Sequence, residues 1–184
     1  SITGHLVVST LHTNDTASSV SRLFDMGVEP YLLSDALIGV VAQRLVRCLC
    51  RCKRGRPATH GELEELGADQ GKRLTVYEPT GCQLCGWTGY YGRTGVYEVM
   101  SVSSGLSSAI VKMQPASRIR EIARTEGMET LKEAALSLVT EGVTSFGEIR
   151  QILYEEEELG EEGGNDGLSI LHDISGREQE ERDH

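Results

Sequence analysis

The sequence predicts an α/β fold, and three of its features carry that prediction. A run of β-type residues at 6–11 stops abruptly at a polar stretch, 12–15. A second strand-like run covers 96–100. Apolar residues recur at helical spacing after the first run and again from 106 onward. Strands that alternate with helices favour a layered fold in which the first run is a buried strand.

Composition bounds the kind of protein. The 184 residues suffice for one domain of ordinary size or two small ones, and with 5% aromatic residues any core is aliphatic. The net charge of −10 resides in residues 155–184, which hold twelve acidic residues and two arginines. The rest of the chain is neutral, which argues against general nucleic-acid binding. We find no apolar run of the ~20 residues that span a bilayer and no signal-peptide pattern. Five clustered cysteines suit reduced thiols in the cytoplasm.

Two helices are predicted after the first strand. Asn14 or Asp15 is a natural N-cap for the first helix, which Gly27 ends. Pro30 suits the first turn of a second helix, predicted to reach about Arg47. Its apolar face would comprise Leu33, Leu37, Val40, Val41 and Leu45.

The remainder divides into three parts. Regular periodicity lapses from 48 to about 92, and a strand follows at 96–100. Helices are then predicted at 106–113, 117–127 and 130–141, followed by a shorter fourth one. Thr130 with Glu133 and Ser145 with Glu148 have capping-box spacing, and Gly142 is the stop of the third helix. The acidic tail, residues 155–184, is expected to be disordered.

The first strand carries the sharpest functional candidate. His12 follows its carboxyl end, where open α/β sheets hold their ligands, and His5 lies at the other end. Residues 3–14, TGHLVVSTLHTN, closely resemble the histidine box of the secretion and pilus ATPases, which are RecA-like motors. Residues 25–33 (DMGVEPYLL) and 39–47 (GVVAQRLVR) extend the resemblance and favour the type II secretion branch over the pilus branch.

The resemblance implies roles for particular residues. In that family the histidine box lies against the terminal phosphates of the nucleotide. His12, with His5 as the weaker candidate, is therefore expected to act in catalysis, and Thr10, Thr13 and Arg44 to contact ATP. The alternatives are a His12 that only hydrogen-bonds a neighbouring loop and an arginine that covers apolar surface with its stem.

The cysteines form the second signal. Cys82 and Cys85 make a CxxC knuckle that suits Zn²⁺. Upstream stand Cys48, Cys50 and Cys52, none of them three apart. The family's module pairs two CxxC motifs, and the resemblance assigns Cys50 and Cys52 to the first, with one residue deleted. Cys48 with Cys52, or His60, are alternative ligands, and free thiols in a loop remain an alternative to metal. A site made of four cysteines has no open coordination position, so the zinc would be structural.

The resemblance implies a division of the chain. Residues 1–47 would end a RecA-like P-loop ATPase core, 48–100 would hold the zinc-binding insertion and a return strand, and 101–154 would form a small helical subdomain. No GxxxxGK[ST] motif occurs, so we expect a fragment that lacks the Walker A loop and does not hydrolyse ATP alone.

The intact protein would use ATP and Mg²⁺ and would act as a hexamer to drive type II secretion. It would be located in the cytoplasm, with platform proteins of the inner membrane as its partners. The close alternative is a type IV pilus assembly ATPase. An alternative of another class is a truncated, non-catalytic, zinc-stapled interaction module, and a zinc-knuckle nucleic-acid binder is a distant third.

Overall fold

The computed structural model describes residues 4–69 and 73–161. Its helices are α1 (Thr16–Asp25), α2 (Pro30–Ala36), α3 (His60–Glu65), α4 (Ser104–Val111), α5 (Ala116–Thr125), α6 (Leu131–Thr140) and α7 (Phe146–Glu161). Its strands are β1 (Gly39–Leu49), β2 (Arg54–Pro57), β3 (Thr75–Glu78) and β4 (Tyr90–Ser101). Helices and strands are therefore mixed, as predicted. No helix among the described residues has the length and apolar character to cross a membrane.

A long antiparallel ribbon of β1 and β4 connects the two halves of the structure. Gly39 pairs with Ser101, and the pairing continues to Leu49 and Tyr90 through an irregularity after Arg47. Side chains alternate between the two faces of the ribbon, so one face is buried and the other is exposed. A separate hairpin pairs β2 with β3.

Two aliphatic cores lie against the buried face of the ribbon. The first joins its central part to β3, α6 and α7, through Ala42, Val46, Val76, Val96, Leu131, Ala135, Val139, Ile149, Ile152 and Leu153. The second packs the end of β4 against α1, α2, α4 and α5, through Ala17, Val20, Leu33, Met100, Leu106, Ala109, Ile110, Ile119 and Ala123. Both cores draw on residues that are far apart in the sequence, with the ribbon as their common support.

The predicted second helix is wrong beyond Ala36. Residues 39–49 form β1 instead of continuing the helix that starts at Pro30. The apolar spacing of this segment fits both periods over a short stretch, and its valines are β-branched residues that suit a pleated surface. Pairing with β4, which lies about 50 residues away in the sequence, decides the outcome. Gln43, Arg44 and Arg47 therefore lie on a strand.

The predicted buried strand at 6–11 is also wrong for this structure. These residues do not form a strand, and Leu6, Val7 and Val8 are 79%, 64% and 89% exposed. A strand needs a neighbour for its backbone groups. Among the described residues, β1 pairs only with β4 and β2 only with β3, so residues 6–11 have no strand beside them.

The helix boundaries predicted from capping residues are confirmed for α1 and α6. Asp15 accepts the Ser18 N–H at the start of α1, and Gly27 has a positive φ at its end. Thr130 and Glu133 form the predicted capping box of α6. Gly142, with φ +70°, follows that helix, and a Cβ there would lie 2.6 Å from the Tyr77 ring.

The C-terminal helices match the prediction in number but not in every detail. α4, α5 and α6 lie where helices were predicted. At α7 both carboxylate oxygens of Glu148 accept hydrogen bonds from Arg47, in place of the predicted capping box with Ser145. α7 continues to Glu161, so residues 155–161 are helical and not disordered. The remainder of the acidic tail, residues 162–184, lies outside the described residues.

A four-cysteine candidate metal centre and the histidine segment

Four cysteines from two distant segments converge on one point. The Sγ atoms of Cys50, Cys52, Cys82 and Cys85 all lie within 4.8 Å of one another. Sγ–Sγ distances are 3.9 Å between Cys50 and Cys82 and 4.0 Å between Cys52 and Cys85. These are the cysteines assigned from the family pattern. The deletion between Cys50 and Cys52 therefore does not keep either thiol from the cluster.

Local backbone structure aims each pair inward. Cys50 follows the irregular end of β1, and its N–H donates to the Gly89 carbonyl at 2.9 Å. Cys52 lies in the turn that follows, and the Thr80 hydroxyl donates to its carbonyl. Of the other two cysteines, Cys82 precedes a single 3-10 turn, Gln83–Cys85, and Cys85 ends it. Two tight turns at the base of the ribbon thus bring the pairs face to face.

Gly89 is required by this arrangement. Its φ is +79°, and an added Cβ would lie 2.3 Å from Cβ of Pro79. The same residue accepts the hydrogen bond from Cys50 and donates its N–H to Sγ of Cys85 at 3.2 Å. Only glycine combines the left-handed backbone with so close an approach.

The thiol of Cys85 is prepared for the charged state that a metal requires. Burial raises its pKa, but hydrogen bonds from the N–H groups of Cys82 and Gly89, together with those to the Cys82 and Cys52 thiols, outweigh burial and lower the pKa to about 6. Since the thiolate is the metal-binding form, this donor pattern favours ligation at neutral pH.

The two alternative ligands lie outside the cluster. Cys48 is half-buried and does not belong to the group. His60 starts α3, where Nδ1 lies 3.6 Å from a Glu64 carboxylate oxygen. Neither alternative set is needed, because the four clustered thiols already offer as many ligands as a closed site takes.

The loop between α6 and α7 attaches the end of β1 and the turn that carries Cys52 to the helices. The Lys53 ammonium donates to the Gly142 carbonyl at 2.5 Å, and the Leu49 N–H donates to Val143 at 2.8 Å. The Thr144 hydroxyl donates to the carbonyl of Arg47 at 2.9 Å. The last contact joins two hydroxyls, those of Tyr90 and Ser145, at 2.8 Å. The cysteine cluster is therefore anchored on the first core.

The histidine segment is built in the opposite way. His5, Thr10 and His12 are exposed, in a stretch without regular secondary structure and without a neighbouring strand among the described residues. The last part of the segment contacts α1 and β1. The Thr13 hydroxyl lies 2.7 Å from that of Ser19, and Arg44 Nη2 donates to Oδ1 of Asn14 at 3.2 Å. Of the predicted nucleotide residues, Thr13 and Arg44 thus lie near the start of α1.

Sequence reasoning missed a buried acid that organises this region. Glu98 is 3% exposed and accepts N–H groups from the first residues of two helices, Thr16 of α1 and Leu131 of α6. The Thr16 hydroxyl also donates to it at 2.5 Å. The signal was present, because Glu98 lies at an inward position between Val96 and Met100 in the alternating pattern of β4.

Comparison with known proteins identifies the family. A family model described as "Type II/IV secretion system protein" matches residues 1–152. The chain is 46% identical over 153 residues to the type IV pilus assembly ATPase PilB of Thermus thermophilus, covering 80% of this chain and 17% of that relative. It is 41% identical over 157 residues to type II secretion system protein E of Pseudomonas aeruginosa, covering 85% and 31%.

A further relative, the type IV pilus assembly ATPase TfpB of Acinetobacter baylyi, is 39% identical over 163 residues, covering 83% of this chain and 26% of the relative. The chain thus spans between 17% and 31% of the length of these proteins. Relatives of both branches match, so the preference for the type II branch stays a prediction. With a family model matching residues 1–152 and relatives this similar, the chain belongs to the type II/IV secretion system protein family.

Proposed function

We propose that this chain is the C-terminal portion of a hexameric RecA-like ATPase that drives type II protein secretion. The observation that carries the proposal is the family match over residues 1–152, together with relatives named as secretion proteins and pilus assembly ATPases. A type IV pilus assembly ATPase is the close alternative. In this proposal, residues 1–47 are the end of the core, 48–100 the metal module with its return strand, 101–154 the helical subdomain and 155–184 the acidic tail.

Exposed apolar surface supports the view that further protein covers part of this chain. Residues 6–8 are exposed, and so is the outer face of the ribbon, where Val41, Leu45 and Val99 are 61%, 60% and 54% exposed. Soluble proteins rarely leave such contiguous apolar surface uncovered. An N-terminal core packed here would give residues 6–11 a strand neighbour, and His12 would then stand at the end of a sheet.

In that setting His12 is the catalytic candidate that lies beside the terminal phosphate, with His5 in a lesser role. Thr10, Thr13 and Arg44 would contact the nucleotide by hydrogen bonds and charge. ATP with Mg²⁺ supplies the phosphoryl group, and the protein contributes positioning and charge stabilisation. The contact of Arg44 with Asn14 favours this assignment, because it holds a cation at the end of the histidine segment.

We propose Zn²⁺ as the metal of the cysteine cluster, held by Cys50, Cys52, Cys82 and Cys85. Zn–S bonds of about 2.3 Å in a tetrahedron place the sulfurs roughly 3.8 Å apart. The separations of 3.9 Å and 4.0 Å between the facing sulfurs fit that requirement. Four thiolates leave no position for substrate, so the metal would staple residues 48–92 and take no part in hydrolysis.

The partners and location follow from the same proposal. The intact protein would assemble as a hexamer in the cytoplasm and act against platform proteins of the inner membrane. The neutral charge of residues 1–154 gives no support to a nucleic-acid partner.

ATP turnover by two proteins tests the proposal. One is this chain, and the other is the same chain extended N-terminally to the length of its relatives. We expect turnover only in the extended protein, and loss of it when the lysine of its phosphate-binding loop is replaced. An extended protein that is folded, contains that loop and lacks activity would contradict the proposal.

A second candidate rests on the cysteine cluster. All four candidate ligands come from this chain, so a metal-stapled interaction module without ATPase activity needs no ligand from another protein. An upstream reading frame without a GxxxxGK[ST] loop would favour this module over the motor.

A further inference from the structure

The turn that carries two of the four cysteines also displays large apolar side chains. Leu84 and Trp87 of this turn are 49% and 75% exposed, and Tyr91, near the start of β4, is 63% exposed. We call these three residues, with Arg51 and Arg93, the knuckle surface. Exposed tryptophan and tyrosine next to arginine is the composition of interface hot spots, whereas ordinary surface is poorer in all three.

The backbone holds Trp87 outward. Its φ is +66°, which is unfavourable for a bulky residue and persists only when the surroundings impose it. Its N–H donates to the Cys82 carbonyl at 2.9 Å, and its own carbonyl lies so close to Gly81 that a Cβ there would be 2.6 Å away. The side chain is thus presented on a rigid turn, which lowers the entropy lost when a partner covers it.

The segment that carries Cys50 and Cys52 is strongly basic. Residues 44–56 contain six arginines and lysines and no acidic residue. Arg93 lines a concavity of about 390 Å³ together with Arg47, Thr88, Tyr90 and Gly92. Within the described residues, Arg47 is paired with Glu148, whereas Arg51 and Arg93 are exposed and have no ion pair. A partner for this surface should therefore combine carboxylates with apolar anchors.

Such a segment follows α7 in the same chain. Residues 162–184 contain seven acidic residues against two arginines, and the apolar residues Leu168, Ile170, Leu171 and Ile174 in their middle. We propose that residues 162–184 dock on the knuckle surface of their own chain. Their carboxylates would face Arg51 and Arg93, and the apolar group at 168–174 would cover Trp87. This inference is independent of ATP hydrolysis.

Because residues 162–184 are tethered to the same chain, a modest affinity for the knuckle surface is enough for docking. A coil of 23 residues, the length of this segment, has a root-mean-square reach of about 25 Å and can extend to roughly 75 Å. The effective concentration of a segment tethered in this way is about 1 mM, so a free peptide with a Kd near ~100 µM corresponds to roughly 90% docking in the intact chain.

Trp87 is the only tryptophan of the chain and reports directly on the docking. We would compare acrylamide quenching of Trp87 in the full chain and in a chain ended after Glu161. Covering an exposed indole should lower the quenching constant, so the shortened chain is expected to quench about twofold more strongly. A synthetic 162–184 peptide added to it should restore protection with a Kd near ~100 µM, more weakly at high salt. Circular dichroism checks that both chains have the same helix content.

Two control peptides separate the apolar contribution to docking from the electrostatic one. Replacing Leu168, Ile170 and Leu171 with serine should abolish protection, and replacing the acidic residues with amides should weaken it and remove its salt dependence. In the full chain, salt alone should raise quenching toward the level of the shortened chain. Equal quenching in both chains, or protection of the full chain that disappears on dilution and so comes from a second copy, would overturn the proposal.

Discussion

The two candidate sites of this chain differ in whether their surroundings are present. The four cysteines converge within 4.8 Å and are supported by N–H donors and turns from the same region. The histidine segment emerges from the start of α1 with His5, Thr10 and His12 exposed. The four thiols of one site come together within the chain, whereas the described residues give the other segment no neighbouring strand.

The difference teaches where each kind of site obtains its geometry. A four-cysteine site needs two tight turns and a support, and residues 48–92 together with the loop 142–145 provide both. A phosphate site at a strand end needs the sheet that places the strand. Since the described residues offer residues 6–11 no strand partner, the segment that resembles the histidine box does not form the predicted strand here.

Metal binding gives the largest expected effect. Cys85→Ser should remove stoichiometric zinc, because a structural four-cysteine site with one ligand missing loses most of an apparent binding free energy of about 10 kcal/mol or more. Metal analysis of the purified protein measures this loss. Cys48→Ser is the matched control and should retain one zinc per chain, since Cys48 lies outside the cluster. Zinc loss in Cys48→Ser with retention in Cys85→Ser would show that another ligand set operates.

Replacing Glu98 tests the connection that it makes between the starts of α1 and α6. Glu98→Ala should lower the free energy of unfolding by about 3 kcal/mol, because buried N–H groups of α1 and α6 lose their acceptor. Chemical denaturation measures it, with Glu129→Ala as the exposed control, expected to change stability by less than about 0.5 kcal/mol. Equal effects of the two substitutions would contradict the role of Glu98 as a shared acceptor for both helix starts.

The histidine pair probes the incomplete site. In the N-terminally extended protein, His12→Ala should lower kcat by about 10²-fold, the effect of losing one charge-stabilising group in a transition state. His5→Ala, at the far end of the predicted strand, should change kcat much less. Steady-state kinetics on both variants decides the matter, and equal losses would remove the distinction between the two histidines.

A charged network around Arg56 gives a smaller, pH-dependent effect. Hydrogen bonds from Arg56 hold the pKa of Glu62 at about 2. Because the folded pKa lies below the ordinary value of 4.5, this pair stabilises the protein above pH 4.5 and the contribution is lost as pH falls toward 2. Arg56→Gln should therefore destabilise the chain by about 1–2 kcal/mol at neutral pH and by less near pH ~3. NMR titration of the Glu62 carboxyl should show its pKa rising in the variant, and an unchanged pKa would refute the assignment.

Capping residues and cysteine spacing were sufficient to predict several parts of the structure. Asp15, Gly27, Thr130 and Gly142 act on groups within a few residues, so α1 and α6 begin and end where local sequence indicates. The family pattern of cysteines also selected the four thiols that the structure brings together.

Long-range pairing was the source of the errors. The stretch 39–47 has a helical pattern until β4 provides a partner, and residues 6–11 have a strand pattern although the described residues contain no strand beside them. Glu98 was overlooked because acidic residues are usually exposed, and its helix-start partners, Thr16 and Leu131, lie far from it in the sequence.

Hydrogen–deuterium exchange of this chain, with and without a zinc chelator, tests the central contrast most directly. We predict that amides within 48–69 and 73–92 lose protection when zinc is removed, whereas residues 4–13 exchange rapidly in both conditions. Unchanged protection of the cysteine region after chelation, or strong protection of residues 4–13, would contradict the contrast between a self-contained candidate metal centre and a histidine segment without a strand partner.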